Sequence, residues 1–225
     1  MRKLTLATLA AAGLALGAAS ASAADLSRRP VYKAPPPAVA AVYNWTGFYI
    51  GGHIGGAFSS EEVTGLPFGF TGKTDPSGFI GGAQLGFNWQ AGNWVFGVEG
   101  DWSWSGADGS TTVGAVPFTS EHKWYATATG RLGYAWDKWL WYAKGGAAWM
   151  DADYTVPGFT VGDTRSGWTI GGGVEMALAP QWSAKLEYNY LDFGKENYAF
   201  PPGIATVDSQ VHVIKGGINY RFGAY

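Results

Sequence analysis

The chain has 225 residues, enough for one substantial all-β domain. Charged residues make up only 14%, well under the quarter usual in a soluble domain, while glycine reaches 35 residues and aromatics 16%. A net charge of −2 offers nucleic acid no electrostatic footing, and zero cysteines exclude disulfides, thiolate chemistry, Cys-ligated metals and an acylated-cysteine anchor.

The first 23 residues read as a targeting segment. Arg2 and Lys3 form a basic start, residues 4–17 an apolar stretch, and Ala21-Ser22-Ala23 a small-residue cleavage site. The apolar stretch is shorter than the roughly 20 residues of a spanning helix. Residues 24–44 are rich in proline and have no hydrophobic period, which predicts a spacer arm. The remaining domain, 45–225, is different throughout.

From Trp45 onward, eight segments alternate strictly between an apolar face and a small or polar face, the period of a β-strand. The first places Phe48, Ile50, Ile54 and Phe58 opposite Tyr49 and His53. The second places Phe79, Leu85, Phe87 and Trp89 opposite Gln84 and Asn88. The third sets Trp94, Phe96, Val98, Trp102 and Trp104 against Glu99 and Asp101. The fourth sets Trp124, Leu132, Tyr134 and Trp136 against Lys123, Thr127, Thr129 and Arg131. In the fifth, Trp139, Trp141 and Trp149 oppose Tyr142 and Lys144. In the sixth, Trp168, Ile170, Val174 and Met176 oppose Thr169 and Glu175. The seventh opposes Trp182, Leu186, Tyr188 and Tyr190 to Lys185, Glu187 and Asn189. The last opposes Ile214, Ile218, Tyr220 and Phe222 to Lys215, Asn219 and Arg221.

Connections alternate in length. Tight turns fall at 91–93, 137–138 and 179–181, and longer loops at about 59–77, 106–120, 155–165 and 194–207. Eight strands laid out in this way predict an all-β, antiparallel up-and-down transmembrane barrel. The apolar face then meets lipid, not a protein core. Trp89, Trp94, Trp136, Trp139 and Trp182 flank the tight turns, and Trp102, Trp124, Trp149 and Trp168 stand near the long loops, making two interfacial girdles. The opposite face carries mid-strand charges: Glu99, Asp101, Arg131, Lys144, Glu175, Lys185, Glu187, Lys215 and Arg221. A dry soluble core would not hold so many unpaired charges, each costing several kcal/mol.

Several stretches, NWTGFYIGG, GAQLGFNWQ, GRLGYAWDKWLWYAKGG, GWTIGGGVE and GINYRF, together resemble the small outer-membrane β-barrel family of alphaproteobacteria, often grouped with opacity-type porins. The likeness covers about residues 44–222. It implies an integral outer-membrane protein of the Gram-negative cell envelope, with a role in envelope integrity and surface exposure. The end of the chain also resembles the family's assembly signal, with Gly217, Tyr220 and Phe222 at its key positions, followed here by Gly223-Ala224-Tyr225. The partners implied are outer-membrane lipid, lipopolysaccharide and the outer-membrane assembly machinery. A barrel of this size can stand as a monomer.

An eight-stranded barrel is just wide enough for its own side chains to fill. The near-balance of interior acids and bases favours a plug of paired charges, with Arg131 or Lys215 bridging to Glu99 or Glu175; a small passive diffusion channel is the alternative. No cofactor, metal site or catalytic group is expected. GGHIGG and GGG lack the Lys-Ser/Thr of a phosphate loop, and His53, His122 and His212 have no metal spacing, His53 reading as interior and the other two as rim residues. Ser120-Glu121-His122 shows no evident oriented nucleophile. Each long loop sets Pro near Phe, which points either to a lid formed by Phe68, Phe118, Phe159 and Phe200 over the mouth or to an exposed apolar patch.

Overall fold

The computed structural model describes residues 43–65, 71–113, 115–200 and 203–223. The targeting segment, most of the 24–44 arm, and Phe68 lie outside them. The described chain is all β-strand: β1 Gly47–Thr64, β2 Thr71–Thr74, β3 Ser77–Ala91, β4 Trp94–Val113, β5 Val116–Trp136, β6 Trp139–Val156, β7 Phe159–Ala179, β8 Trp182–Phe200 and β9 Gly203–Arg221. Each strand pairs antiparallel with its neighbours in the sheet, and β1 also pairs with β9, which closes the sheet into a barrel.

Nine labels make eight staves. Along β1, β3 pairs from Gly47 to Phe58 and β2 takes over from Glu61 to Thr64. Between them lies Pro76, which has no N–H to give a ladder. Its carbonyl accepts a hydrogen bond from the Ser59 amide at 2.7 Å and bridges the break.

The strands are longer than their apolar faces suggest. Most of the stretches expected as long loops are strand: β4 and β5 run to within a few residues of each other, and β6 and β7 are joined only by Pro157-Gly158. The reason is a change of side. On β6, Trp139 and Trp149 lie roughly 25 Å apart along the barrel axis, taking about 3.3 Å per residue and a tilt of roughly 40°, the height of an outer-membrane apolar band. Past Trp149 the alternation continues with its sense reversed. Met150, Ala152, Tyr154 and Val156 are buried inside, while Asp151, Asp153 and Thr155 point outward. The upper part of each hairpin is a water-facing barrel with an apolar core.

Three single-residue bulges fall near this transition, one of them on β4 between Trp104 and Ala107. At Lys123, β5 carries one more residue than β6 between the pairs Trp124–Asp151 and His122–Ala152. A bulge reverses which side chains face inward. It corrects two assignments: Lys123 lies on the outer face, 2.7 Å from Asp153, and His122 is not a rim residue but is wholly buried. Another lies between Asp192 and Lys195 of β8, where Gly194 takes a positive φ of 63°.

Candidate functional site: the barrel interior

The interior is layered. At the short-turn end, Trp45 is buried against Val95, Ala135, Leu140, Tyr142 and Ala177, with Tyr43 alongside. The arm therefore hands over to the barrel at Tyr43, two residues before the boundary the sequence suggests.

Above this lies an ionic layer. Eight of the nine charges read from the sequence meet in it, four acids and four bases, all nearly inaccessible to solvent. Lys144 Nζ is 2.8 Å from Glu99, 2.8 Å from Glu187 and 3.4 Å from Asp101. Lys185 lies 3.1 Å from Glu99 and 3.4 Å from Glu187, and Lys215 lies 3.1 Å from Asp101 and 3.3 Å from Glu187. Arg131 pairs with Glu175 and stands 3.9 Å from Glu99, while Lys215 bridges to neither of those two acids. Neutral groups fill the remaining valences. Tyr49 donates to Glu99 at 2.7 Å, Tyr142 to Glu187 at 2.8 Å, and Asn219 to Glu175 at 2.9 Å. The Arg131 guanidinium also stacks 3.6 Å from the Tyr142 ring centre. Tyr49 fits because Gly86 faces it; a Cβ there would fall on the ring. His53 closes the layer from above, bonded to Gln84 and, at 2.7 Å, to Ser103.

Arg221 stands apart from this network. It is buried at the short-turn end under Tyr43 and Trp45, and donates to the Pro180 carbonyl at 3.1 Å.

Next comes an apolar septum that includes Ile80, Tyr125, Met150, Leu191 and Val211. Beyond it lies a second polar cell that strand alternation did not reveal, because Glu61 and Arg165 sit in stretches read as loops and the bulge at Lys123 shifts the face of His122. His122 Nε2 donates to Glu61 at 2.9 Å, Ser209 donates to Glu61 at 3.0 Å, and Arg165 donates to Ser209 at 2.7 Å. Ser59 stands 3.3 Å from His122 Nδ1. Hydroxyl, imidazole and carboxylate are thus in line, but all are sealed from solvent and Tyr125 also occupies Nδ1, so no nucleophile is presented to a substrate. Among the described residues no cluster of His, Asp or Glu is built to hold a metal.

Burial pushes the Glu61 carboxyl up, but the hydrogen bond and charge of His122, with the Ser120 and Ser209 hydroxyls, outweigh it and hold the group below its ordinary range. A depressed carboxylate stabilises the fold fully above its unfolded pKa of about 4.3 and loses that contribution as pH falls toward its folded value. Hydrogen exchange of the upper β1 and β9 amides is therefore expected to accelerate between pH 6 and pH 3 beyond the intrinsic rate change. The same drop in protection should shrink in Glu61→Gln; an equal drop in both proteins would remove Glu61 as its source.

Of the four phenylalanines expected in a lid or patch, Phe118 and Phe159 part company. Phe118 is fully buried beneath the hairpin tips, stacked on Tyr154 at 5.9 Å, whereas Phe159 is 52% exposed. Phe200 is at the end of β8. Over the upper cell, Phe118 packs with Tyr154, Tyr198, Val63 and Val207.

On the outer face, Trp89, Trp94, Trp136, Trp139 and Trp182 are exposed near the short turns, and Trp102, Trp149 and Trp168 at the upper level. Trp124 is half-buried, stacked on Trp102 at 4.4 Å. Tyr220 and Phe222 also point outward, their rings 5.1 Å apart, while Gly217 packs against Gly52 and His53 of β1. His212 is on this outer face, 2.8 Å from the Tyr188 hydroxyl.

A closed eight-stave barrel with an apolar outer belt between two aromatic girdles defines an integral outer-membrane protein. Residues 9–222 match the outer membrane protein beta-barrel domain family, and the chain belongs to that family. It is 33% identical to the 31 kDa outer-membrane immunogenic protein of Brucella melitensis biotype 1, over 99% of this chain and 100% of that one. The 22 kDa outer membrane protein of Rhizobium leguminosarum bv. viciae is 31% identical over 80% of this chain and 79% of its own length. Among solved structures, Neisserial surface protein A shares the fold with a TM-score of 0.51 at 17% identity, over 79% of this chain and 98% of that one. The protein resides in the outer membrane, with the short turns on the periplasmic side and the long hairpins outside.

Proposed function

We propose that this protein is a closed, non-enzymatic barrel that contributes to the integrity of the outer membrane and carries its rigid hairpins to the cell surface. The observation that carries the reading is the ionic layer. Four acids and four bases neutralise one another, and each base lies within 3.4 Å of an acid or in direct contact with one. A selective pore would present a ring of one sign and a path for water. The septum and the tyrosine cap add two apolar closures above. The girdles suit contact with membrane lipid and lipopolysaccharide, and Gly217, Tyr220 and Phe222 suit reading by the outer-membrane assembly machinery. The barrel needs no second copy to close its sheet, so we take it as a monomer. Two Brucella relatives are named immunogenic proteins, and the hairpin tips, with Phe159 exposed, are the surfaces that antibodies would meet here.

Single-channel recording of the refolded chain in a planar bilayer tests the closure. The expected result is silence broken only by rare, brief openings. Steady, repeatable steps would make the protein a small passive diffusion channel and turn the ionic layer into its selectivity element.

A further inference from the structure

The periplasmic mouth is closed by chain that belongs to no strand. Residues 43–46 precede β1, yet Trp45 is almost completely buried, at 1% exposure. Three parts of the lower rim hold the segment. Its Trp45 amide donates to Gln90 Oε1 at 2.7 Å, and the Gln90 amide returns a bond to Thr46 Oγ1 at 3.0 Å, which fastens it to the end of β3. The Tyr43 hydroxyl reaches the Ala179 carbonyl at 3.4 Å, beside the β7–β8 turn. The Arg221 guanidinium lies 4.3 Å from the Tyr43 ring centre and 5.4 Å from that of Trp45, which fastens it to the end of β9.

The third contact matters most. Arg221 closes the seam where the last strand meets the first. Its backbone amide donates to Gln181 in the β7–β8 turn, and the Phe222 amide donates to Phe48 of β1, both at 2.8 Å. The seat for the two aromatic rings therefore exists only once β9 has paired with β1 and the turn before β8 is in place.

We propose that Tyr43–Trp45 is a latch that seals the periplasmic mouth and holds β9 closed against β1, seating last and only on a completed barrel. The mouth opens when this segment is withdrawn. Only the lower end opens in this way, and the ionic layer, septum and cap above it stay shut either way.

The cysteine-free sequence makes the test clean. A single Ala177→Cys places a thiol directly behind Trp45, and Ala152→Cys places one in the upper cell. Each is reacted with a membrane-impermeant maleimide in the refolded full chain, with and without Trp45→Ala. Ala177→Cys is expected to react slowly in the parent and about tenfold or more faster with Trp45→Ala, as a locally opened site should. Ala152→Cys should stay slow in both. Equal rates at position 177, or a parallel rise at 152 that reports general loosening, would overturn the latch. Arg221→Gln and Tyr43→Ser loosen the same stack more gently; if Trp45→Ala does not refold, unchanged labelling of position 177 in those two overturns the latch equally. Conductance is read separately: fast labelling with a silent bilayer upholds both the latch and the closed bore, and fast labelling with steady conductance overturns only the closed bore.

Discussion

Glu187→Leu is expected to lower the stability of the refolded barrel by about 3–5 kcal/mol in urea, the cost of stripping one partner from a buried ionic cluster. No other acid in the layer touches more bases. Lys144, Lys185 and Lys215 lie 2.8, 3.4 and 3.3 Å from it, and Tyr142 and Asn189 donate to it at 2.8 and 2.7 Å. Its removal leaves four buried bases facing three acids, with no solvent to screen the excess. Lys144→Met should be costly alone for the mirror reason. Together the two substitutions should cost less than the sum of their separate effects, with a coupling of about 1–3 kcal/mol, because the second removes the charge stranded by the first. Urea titrations of the parent, both single variants and the double variant, followed by tryptophan fluorescence, measure that coupling. Additive costs would mean that the charges are individually solvated and that the interior is wet, as in a channel.

The sequence made the lower half of this molecule legible and obscured the upper half, for one physical reason. In the membrane the apolar face of each strand points out, and residues such as Leu85, Phe96 and Ile170 mark it plainly opposite Gln84, Glu99 and Thr169. Above the membrane both faces change character. Ser60 and Glu62 point outward while Ala57 and Val63 point inward, so a search for greasy outer faces stops at Phe58 and takes the rest of β1 for loop. Glu61 and Arg165 of the upper cell lay hidden in such stretches, and Ser209 just beyond one of them. The bulge at Lys123 added a parity error that placed His122 at the rim. A signal was nonetheless present: the β-branched run around Ser110-Thr111-Thr112-Val113 and the alternation of Met150, Ala152 and Tyr154 with acids are strand patterns of a soluble type. The charges of the ionic layer were readable one by one, but their pairing depends on register across strands as far apart as β4 and β8, which alternation does not report.

Arg165→Met is expected to open the upper half of the barrel while the membrane-spanning half stays folded. Arg165 is the only lysine or arginine in the upper cell among the described residues, and its bonds run to backbone as well as side chains. Its Nη2 donates to the carbonyls of Gly194 at 2.6 Å, Phe193 at 3.2 Å and Val207 at 3.3 Å, and its Nη1 to Ser209 at 2.7 Å and Tyr154 at 3.4 Å. Phe193 and Gly194 belong to the β8 bulge, where the ladder to β9 is interrupted between Asp192 and Lys195. Their carbonyls have lost strand partners there, and a buried carbonyl without a donor costs about 1–3 kcal/mol. Methionine fills much of the volume but supplies no donor, so the loss falls on those carbonyls and on Ser209, which links Arg165 to Glu61. Lys195 gives the readout, since its side chain is 72% exposed and lies just past the bulge. A strand held in the barrel resists trypsin; a frayed one does not. Trypsin should therefore cut after Lys195 in Arg165→Met and spare the parent, leaving the portion of the barrel within the bilayer protected. If Lys195 resists equally in both, the bulge is held by the hairpin itself and the upper cell is a consequence of the fold, not its support.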